Sequence, residues 1–387
     1  MSIISDRLKF QAKSFVAAQI GRYLAKQYAR GKGPAGRVVS VFSDQARQIG
    51  LAEEILVPRI AVKKTAVDFI LDGDVESRCR DYLREGSDVT WNAGVFSATD
   101  VDVSFPTGMH QVGGKIMYEM MPGSFLLTNP KYYFGLELMR IRRKRLLDEG
   151  VLLAAPWHQN YYHWTIEILP RLLSYDRCPR LQSVPLIVPK SAPRFVAESL
   201  RLAGYGARTL FLDDGVYRFK TLHMLSMLAP TPAVSADAVD WLNEKLADLP
   251  STFRPPKRIY VSRRDAKIRF VSNEPELTGV LAEYGFTSLM MSGLSLADQI
   301  RAFRDADCII GPHGAAFSNL AFATPGSIFI ESYQRGHVSP CFNRIAGIRN
   351  LKYGFLVGEA SGAGGFAINP RQLRAILSEA LGPTSSQ

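Results

Sequence analysis

The 387-residue sequence predicts an α/β protein of two Rossmann-like domains that face a central cleft. From residue 151 onward, short apolar runs typical of buried strands alternate with amphipathic helical segments. This order is typical of parallel sheets with crossover helices. The chain also exceeds the ~100–200 residues of a usual domain, and a Pro-rich stretch, 230–256, interrupts the alternation. In such folds a ligand binds at the carboxyl ends of the strands.

The N-terminal domain, predicted to span 1–235, carries this alternation in its second half. The strands predicted there are Val151–Ala155, Leu186–Pro189 and Arg208–Leu212. The helices predicted between them are Tyr162–Tyr175 and Pro193–Ala203. Residues 38–130 show short strand-like segments separated by turn residues, and they match no motif.

The C-terminal domain, predicted to span 236–387, has a cleaner rhythm. Its predicted elements are helix Ala236–Leu249, strand Arg258–Ser262, helix Asn273–Tyr284, strand Phe286–Met291, helix Ser295–Asp305, strand Cys308–Gly311, helix Ala315–Ala323 and strand Ser327–Glu331. We expect the last helix, Pro370–Leu381, to be able to pack back on the first domain.

The composition is that of a globular protein, with 47% hydrophobic and 21% charged residues. A net charge of +11 favours anionic partners such as nucleotide diphosphates, acidic glycans or anionic lipids. No recognised nucleic-acid motif accompanies that charge, so we expect no nucleic-acid partner. The four cysteines form no CxxC pair and suit free thiols in a reducing compartment, which predicts a cytoplasmic protein. No apolar run reaches the ~18–20 residues of a membrane span.

The first 37 residues are strongly basic, with eight Lys or Arg and one acid, Asp6. Apolar residues recur among them at roughly helical spacing. A basic amphipathic helix at 1–37 either lies on an anionic membrane surface, such as the inner membrane face, or packs as a solvated helix on the protein body. The sequence leaves both interpretations open.

The turn Gly311–Asn319 (GPHGAAFSN) follows an apolar strand and opens a helix. Gly311 and Gly314 permit close approach of a ligand to the backbone. The amides from Gly314 and Ala315 onward, at a helix N-terminus, predict an anion site. His313 can donate a hydrogen bond to a phosphate oxygen, and Asn319 lies one turn further on. The alternative is an ordinary turn whose glycines serve only packing.

Residues at the ends of neighbouring strands strengthen the interpretation as an anion site. Arg263 and Arg264 follow the strand Arg258–Ser262, where two guanidinium groups suit a diphosphate. Glu331 ends the next strand after the turn and is predicted to bind ribose hydroxyls. Asn273 is predicted to cap a helix, in a capping box that Glu276 closes. A contact from Asn273 or Glu274 to Arg263 would at the same time make this segment part of the donor site.

In the N-terminal domain, the segment HQNYYHWTIEILPRL places His163 and Glu167 four residues apart on one helical face. Such a pair either deprotonates a hydroxyl as a general base or merely stabilises the helix. The segment lacks HExxH, so no zinc site is predicted. Three Asp-x-Asp sequences occur, as chance allows, and we assign no metal to them.

Three of these segments, in order, resemble glycosyltransferase family 61. They are YYHWTIEILPRL, RIYVSRRDAKIRFVSNE and GPHGAAFSNLAFATPGSIFIE, which together cover residues within 157–331. The family shares His-Gly-Ala followed by Asn, then Pro-Gly and a strand ending in Glu. Residues 1–150 show no such match.

The resemblance implies a GT-B architecture and an inverting, metal-independent hexosyl- or pentosyltransferase that uses no cofactor. Its nucleotide-sugar donor would bind the C-terminal domain, and a glycan or lipid-linked glycan acceptor the N-terminal one. The implied diphosphate contacts are Arg263, His313 and the turn amides; His163 and Glu167 are candidates for the base. We expect a role in surface polysaccharide or capsule synthesis.

Two alternatives to a transferase stay open. A non-catalytic glycan-binding protein would use the same basic surface without turnover. A nucleotide-sugar epimerase or dehydrogenase would need a GxGxxG after an early strand, and the glycines at Gly362–Gly365 come too late for one.

Overall fold

The structure is a computed structural model that describes residues 38–39, 50–62, 69–70, 89–117, 139, 141–229, 232–362 and 364–383. The basic N-terminal segment 1–37 lies outside these residues. The chain divides into two compact units. The described residues within Met1–Arg59 and Trp91–Thr231 form the first unit. Those within Ile60–Thr90 and Pro232–Gln387 form the second.

Strands are numbered along the chain. They are β1 Val38–Val39, β2 Ala52–Val62, β3 Phe69–Ile70, β4 Val89–Phe105, β5 Met109–Gln111, β6 Ile116–Met117, β7 Arg145–Leu152, β8 Leu186–Pro189, β9 Thr209–Leu212, β10 Gly215–Leu225, β11 Arg258–Val261, β12 Thr287–Leu289, β13 Cys308–Pro312, β14 Ile328–Gln334, β15 Lys352–Ala360 and β16 Phe366–Ala367.

The α-helices are α1 Leu172–Asp176, α2 Arg194–Leu202, α3 Ala236–Leu246, α4 Glu274–Glu283, α5 Leu296–Asp305, α6 Cys341–Ile348 and α7 Pro370–Leu381. A π-helical segment, His163–Ile168, and a 3₁₀ turn, Leu169–Arg171, lead directly into α1. Further 3₁₀ segments are Pro179–Leu181, Gly206–Arg208, Met291–Gly293 and Ala315–Phe322.

The sheet of the first unit has the strand order β2-β4-β10-β7-β8-β9, with β5 also paired to β4. Its β10, β7, β8 and β9 pair in parallel, as alternating strands and helices predict, whereas β4 pairs antiparallel with both β10 and β5. The sheet is therefore mixed. Its core includes the fully buried Phe96, Val101 and Phe219.

The sheet of the second unit has the strand order β12-β11-β13-β14-β15-β16. All its pairs from β12 to β15 are parallel, β16 is antiparallel to β15, and β3 pairs in parallel with β15. The chain runs from β11 to β12 on one side and then to β13 on the other side of β11. Strand order reverses there, and the crevice outside the carboxyl ends of β11 and β13 is where such sheets bind ligands.

Sequence pattern explains why these elements form. Every residue of β13, CIIGP, is buried, as expected for a central parallel strand. Helix α5 buries Leu296, Ile300 and Phe303, spaced along one face, and its N-cap Ser295 accepts a hydrogen bond from the amide of Asp298. The α/β class and two parallel-rich sheets agree with the prediction.

Several predicted element ends were wrong. Strand β7 begins at Arg145 and ends at Leu152, because its charged first half pairs with β10 rather than lying in a loop. Helix α3 ends at Leu246 instead of continuing to Leu249. The segment after the glycine turn is a 3₁₀ helix, in which residues from Phe317 to Phe322 are all buried. It is tighter than the predicted α-helix, and its dipole is accordingly a weaker basis for anion binding.

The last helix packs inside the second unit. Leu373, Ile376 and Leu377 of α7 are buried in a core that also contains Leu277 of α4 and Leu356 of β15. The side chain of Asn369 caps α7 by accepting a hydrogen bond from the amide of Arg371, 2.9 Å away.

Candidate functional site

The reversal of strand order in the second unit brings two of the predicted ligand-binding segments together. Arg263 lies two residues after the end of β11, and His313 directly follows β13. These strands are parallel neighbours, with Tyr260 opposite Ile310, so the segments leave the sheet at the same edge. The geometry therefore places both predicted diphosphate ligands at the crevice that the fold favours for binding.

The two glycines of the turn are required by space rather than by backbone conformation. Gly314 is extended, with φ −175°. A Cβ on Gly314 would fall on Nη1 of Arg263 and lie 2.8 Å from its Cζ. A Cβ on Gly311 would lie 2.6 Å from the backbone oxygen of Val261 in β11. Gly311 thus lets the strands pack closely, and Gly314 lets the Arg263 guanidinium rest against the turn beside His313.

His313 is held by a buried polar cluster. Its Nδ1 lies 2.5 Å from Oε1 of Glu331, a residue with no solvent exposure. The other carboxylate oxygen accepts hydrogen bonds from the hydroxyls of Tyr333, at 2.7 Å, and Tyr353, at 3.1 Å. The His313 ring stacks on Tyr333 and is tilted against Phe342. With Nδ1 engaged, Nε2 is the ring nitrogen directed away from Glu331.

This cluster contradicts the predicted role of Glu331. We expected its carboxylate to bind ribose hydroxyls, but both of its oxygens are occupied by protein donors and the side chain is fully buried. The prediction failed because β14 continues to Gln334, so Glu331 lies within the strand and not at its end, among residues 329–333 that are all buried.

Two further basic residues join this site that sequence reasoning missed. Nη1 of Arg269 lies 2.6 Å from Nε2 of His337, whose ring meets that of His313 at 5.7 Å. Burial lowers the pKa of His337, and the charges of Arg269 and His313 lower it further. Arg269 stands in the segment RIYVSRRDAKIRFVSNE and could have been noticed there, whereas His337 carried no signal.

The two arginines of the site, Arg263 and Arg269, are partly removed from solvent, and no carboxylate pairs with their buried Nε atoms. Burial lowers the pKa of Arg263, and the charge of Arg269 nearby lowers it further, while Asp265 opposes this shift. Burial also lowers the pKa of Arg269. The Nε atoms of both arginines are buried and make no hydrogen bond. Buried cationic donors left in this way favour an anionic ligand, which supplies both charge and acceptors.

Three other predicted ligand residues instead stabilise the unit. Nε of Arg264 lies 3.1 Å from the buried carboxylate of Glu274, which also accepts hydrogen bonds from Ser262 and Tyr260. Asn319 has no exposed surface, and its Nδ2 donates to the backbone oxygen of Ala316. Ala315, half-buried, is the first residue of the 3₁₀ helix.

Asn273 precedes α4 as predicted, but its side chain makes no capping bond. Its Oδ1 accepts from the amide of Ile368 at 3.0 Å, and its Nδ2 donates to the oxygen of Ile368 at 2.9 Å and to Glu276 at 3.1 Å. The expected capping box is therefore wrong. Asn273 has a good capping side chain, but a distant backbone segment competes for it, and the sequence cannot show that segment.

In the first unit, the predicted pair of His163 and Glu167 is present. Nδ1 of His163 lies 2.6 Å from Oε2 of Glu167, whose side chain is almost fully buried. Nε of the buried Arg171 donates to the backbone oxygen of Glu167, and burial lowers the pKa of Arg171 to about 10, against the charge of Glu167. The pair lies in the π-helical segment, and π-helical turns are frequent at functional sites.

Two more buried histidines of the first unit carried no sequence signal. Nδ1 of His110 lies 3.1 Å from the oxygen of Gly108, and Nδ1 of His158 lies 2.8 Å from the oxygen of Ala155. Both side chains are buried, which lowers the pKa of His110 to about 4 and also lowers that of His158. Each Nδ1 faces a carbonyl oxygen, which only accepts, so Nδ1 carries a proton, and burial disfavours a second proton on Nε2.

In the described part of the chain, no group of three or more His, Cys, Asp or Glu residues could hold a metal ion. None of the helices found there is long and apolar enough to cross a membrane.

Comparison with known proteins gives two matches. Residues 161–330 match the family model described as Glycosyltransferase 61, which confirms the predicted resemblance over that segment. A stretch of 64 residues is 36% identical to a β-1,2-xylosyltransferase of Arabidopsis thaliana. That stretch is 16% of this chain and 12% of the relative, so the chain matches only about an eighth of the relative's length.

Proposed function

We propose, for a chain whose residues 161–330 carry a glycosyltransferase 61 domain, that the protein transfers a sugar from a nucleotide-sugar donor to a glycan acceptor. The observation that carries the proposal is the placement of Arg263 against Gly314 beside His313. This places a desolvated guanidinium and an imidazole at the reversal of strand order, as binding of a diphosphate requires.

The proposed reaction inverts the anomeric centre. The acceptor oxygen forms a bond to the anomeric carbon while the bond from that carbon to the diphosphate oxygen breaks, and its electron pair leaves with the diphosphate. The acceptor proton passes to a base, for which the buried pair of His163 and Glu167 is our candidate. We propose that Arg263, Arg269 and His313 balance the charge of the leaving diphosphate, and that no metal ion or other cofactor is needed.

We further propose a GT-B arrangement, with the first unit on the acceptor side, and a role in surface polysaccharide or capsule synthesis. A lipid-linked acceptor at the inner membrane face would suit the net charge of +11, and the cytoplasm would suit the buried thiols Cys178, Cys308 and Cys341, which form no disulfide. The name of the Arabidopsis relative describes transfer of xylose, so nucleotide-linked pentoses belong among the donors tested along with hexoses.

The proposal predicts metal-free binding of nucleoside diphosphates. We expect calorimetric titration in EDTA to show binding, and Arg263→Ala to weaken it ~10–100-fold, since one charge-assisted hydrogen bond contributes ~1.5–3 kcal/mol. The matched control is Arg254→Ala, which removes an exposed arginine of the same unit and should leave binding unchanged.

The same preparations separate the alternatives. Slow hydrolysis of one member of a nucleotide-sugar panel would identify the donor of a transferase. Glycan binding without turnover of any donor would favour a lectin-like protein, and NAD released on denaturation would favour an epimerase or dehydrogenase. Absence of diphosphate binding, with Arg263→Ala equal to wild type, would overturn the proposal.

A further inference from the structure

The buried partner of His313 has a function of its own. We propose that Glu331, supported by the hydroxyls of Tyr333 and Tyr353, is a positioning residue that keeps His313 cationic and directs its Nε2–H to the leaving diphosphate. This inference rests on the proposed function, and it concerns the same site. It replaces the contact to ribose that the position of Glu331 had predicted.

The geometry determines where the proton of His313 lies. Nδ1 of His313 and Oε1 of Glu331 lie 2.5 Å apart, so the two atoms share one proton in a hydrogen bond. A carboxylate only accepts, so the proton of this bond belongs to Nδ1. Nε2 is then free to carry the second proton of an imidazolium and to donate it in a hydrogen bond.

The surroundings of Glu331 favour the ionised carboxylate. Its second oxygen lies 2.7 and 3.1 Å from the hydroxyls of Tyr333 and Tyr353, and the single hydroxyl proton of Tyr333 has a further acceptor in the backbone oxygen of Ser339, at 2.9 Å. Burial raises the pKa of both tyrosines well above the ordinary value, and the negative charge of Glu331 raises it further, so they remain donors. An ionised carboxylate without solvent exposure persists only where a cation and hydrogen-bond donors compensate it, and the imidazole of His313 is the ring in contact with it that can carry a positive charge.

Compared with well-packed apolar residues, a buried ion pair adds little to the free energy of unfolding. Here the pair lies behind a ligand-binding turn, and it fixes the direction of the one ring nitrogen that faces away from it. The rings of Tyr333 and Phe342, with centroids 5.5 and 5.0 Å from that of His313, hold the imidazole plane. Such preorganised donors act most strongly on the charge that develops as the leaving group departs.

Other charged groups around His313 act in the opposite direction. The Arg263 guanidinium lies against Gly314, the residue that follows His313, and its positive charge disfavours a cation at His313. The ring of His337 meets His313 at 5.7 Å; it accepts a hydrogen bond from Arg269 at Nε2 and is therefore neutral. Glu331 is thus the group in contact with His313 that favours protonation of the His313 ring. Removing the charge of Glu331 should therefore change the pH dependence of pyrophosphate binding.

The first experiment is an NMR measurement on the wild-type chain, labelled with ¹⁵N in its histidines. Its probe is inorganic pyrophosphate, which carries no nucleobase. We expect the bound state to show both nitrogens of His313 protonated near neutral pH, with Nδ1 protonated throughout. A neutral His313 in the bound state, or a proton on Nε2 with Nδ1 bare, would overturn the inference.

The second experiment compares Glu331→Gln and Tyr353→Phe with wild type. Glutamine keeps an acceptor for Nδ1–H but removes the charge, so the pH above which pyrophosphate affinity falls should move down by ~1 unit or more. In donor turnover, kcat should fall ~100-fold with a small change in KM. Tyr353→Phe should shift the same profile in the same direction by less.

The outcomes separate this inference from the proposed function. If wild type binds neither pyrophosphate nor any nucleoside diphosphate, the proposed function fails. If wild type binds and folded Glu331→Gln keeps the wild-type pH profile and kcat, only the role of Glu331 fails. Should Glu331→Gln not fold, the Tyr353→Phe profile and the wild-type resonances of His313 decide.

Discussion

At the scale of single residues, the two glycines of the turn act through different neighbours. Gly314 faces the far end of a flexible side chain, Arg263, whereas Gly311 faces the backbone of β11. A flexible side chain can move away from an added methyl group at little cost. A strand backbone cannot move without disturbing its pairing, so the same substitution has a different consequence at each position.

This difference gives a matched pair of variants. Gly314→Ala should displace Arg263 and weaken nucleoside diphosphate binding ~10-fold or more, with a change in unfolding free energy below ~1 kcal/mol, the usual range away from backbone clashes. Gly311→Ala should instead cost ~1–3 kcal/mol of stability through overpacking. Denaturant unfolding and calorimetric titration of both variants measure this, and equal stability losses would contradict the assignment.

Another single residue makes stability depend on pH. The pKa of His110 falls from 6.5 to about 4 in the folded chain, because the ring is buried. Between these values the unfolded chain binds more protons, so the stability contribution is present above the unfolded pKa and is lost as pH falls through the folded one. The loss is on the order of 3 kcal/mol for a shift of this size.

His110→Asn keeps a donor for the oxygen of Gly108 but cannot titrate in this range. We expect its unfolding free energy, followed from neutral pH down to about pH 4, to fall less steeply than that of wild type. The remaining slope includes His158, whose pKa is lowered in the same direction. Identical slopes in the two proteins would show that His110 is not the responsible group.

The candidate site was predictable where chemistry and chain position agree. Arg263, His313 and Gly314 were predicted from a glycine turn and a basic strand end, both of which the order of strands brings together. Glu331 was singled out, but for the wrong contact, because the sequence did not show that β14 continues past it to Gln334 and buries both of its faces. His337 lies in a loop without periodicity, and only the fold brings it to His313.

At the scale of elements, helix α4 and the segment before α7 are joined by one side chain. Asn273 binds both the amide and the oxygen of Ile368, as a neighbouring strand would. Its backbone position begins α4, so a residue that favours helix capping serves long-range pairing instead. The join connects two elements whose apolar faces share one core.

Asn273→Ala removes both hydrogen bonds and leaves the Ile368 backbone groups without these partners. We expect a loss of ~1–3 kcal/mol in unfolding free energy, as for buried groups left unsatisfied. Hydrogen exchange should accelerate first in β16 and α7. The control is Glu276→Gln, which alters only the exposed contact of the Asn273 side chain. Equal exchange in β16 and α7 for wild type and Asn273→Ala would contradict this role.

Predicting elements succeeded best for the second unit. There, every strand from β11 to β14 overlaps a predicted strand. The central strands β11 and β13 are almost wholly buried, as their apolar runs indicated, whereas the edge strand β12 is largely exposed. The antiparallel part of the first sheet was not predicted. Its long β4 reads as broken segments because polar residues such as Asp100 and Asp102 interrupt the alternation, and Asp102 is compensated by Arg218 and Lys144.

At the scale of the whole molecule, the two units have separate sheets and separate cores. A length above the usual range of one domain had predicted two domains. The membership of β3 in the second sheet could not be predicted, because a strand of two residues has too short a pattern to indicate its partner.

The pairing of β3 with β15 bears on how the protein emerges from the ribosome. Phe69 and Ile70 leave the exit tunnel long before their partners Gly354 and Phe355 are synthesised. The second sheet therefore cannot be completed until β15 has been synthesised, long after β3. An expression fragment that starts at Pro232 would leave that edge of β15 without its strand and open to pairing between copies.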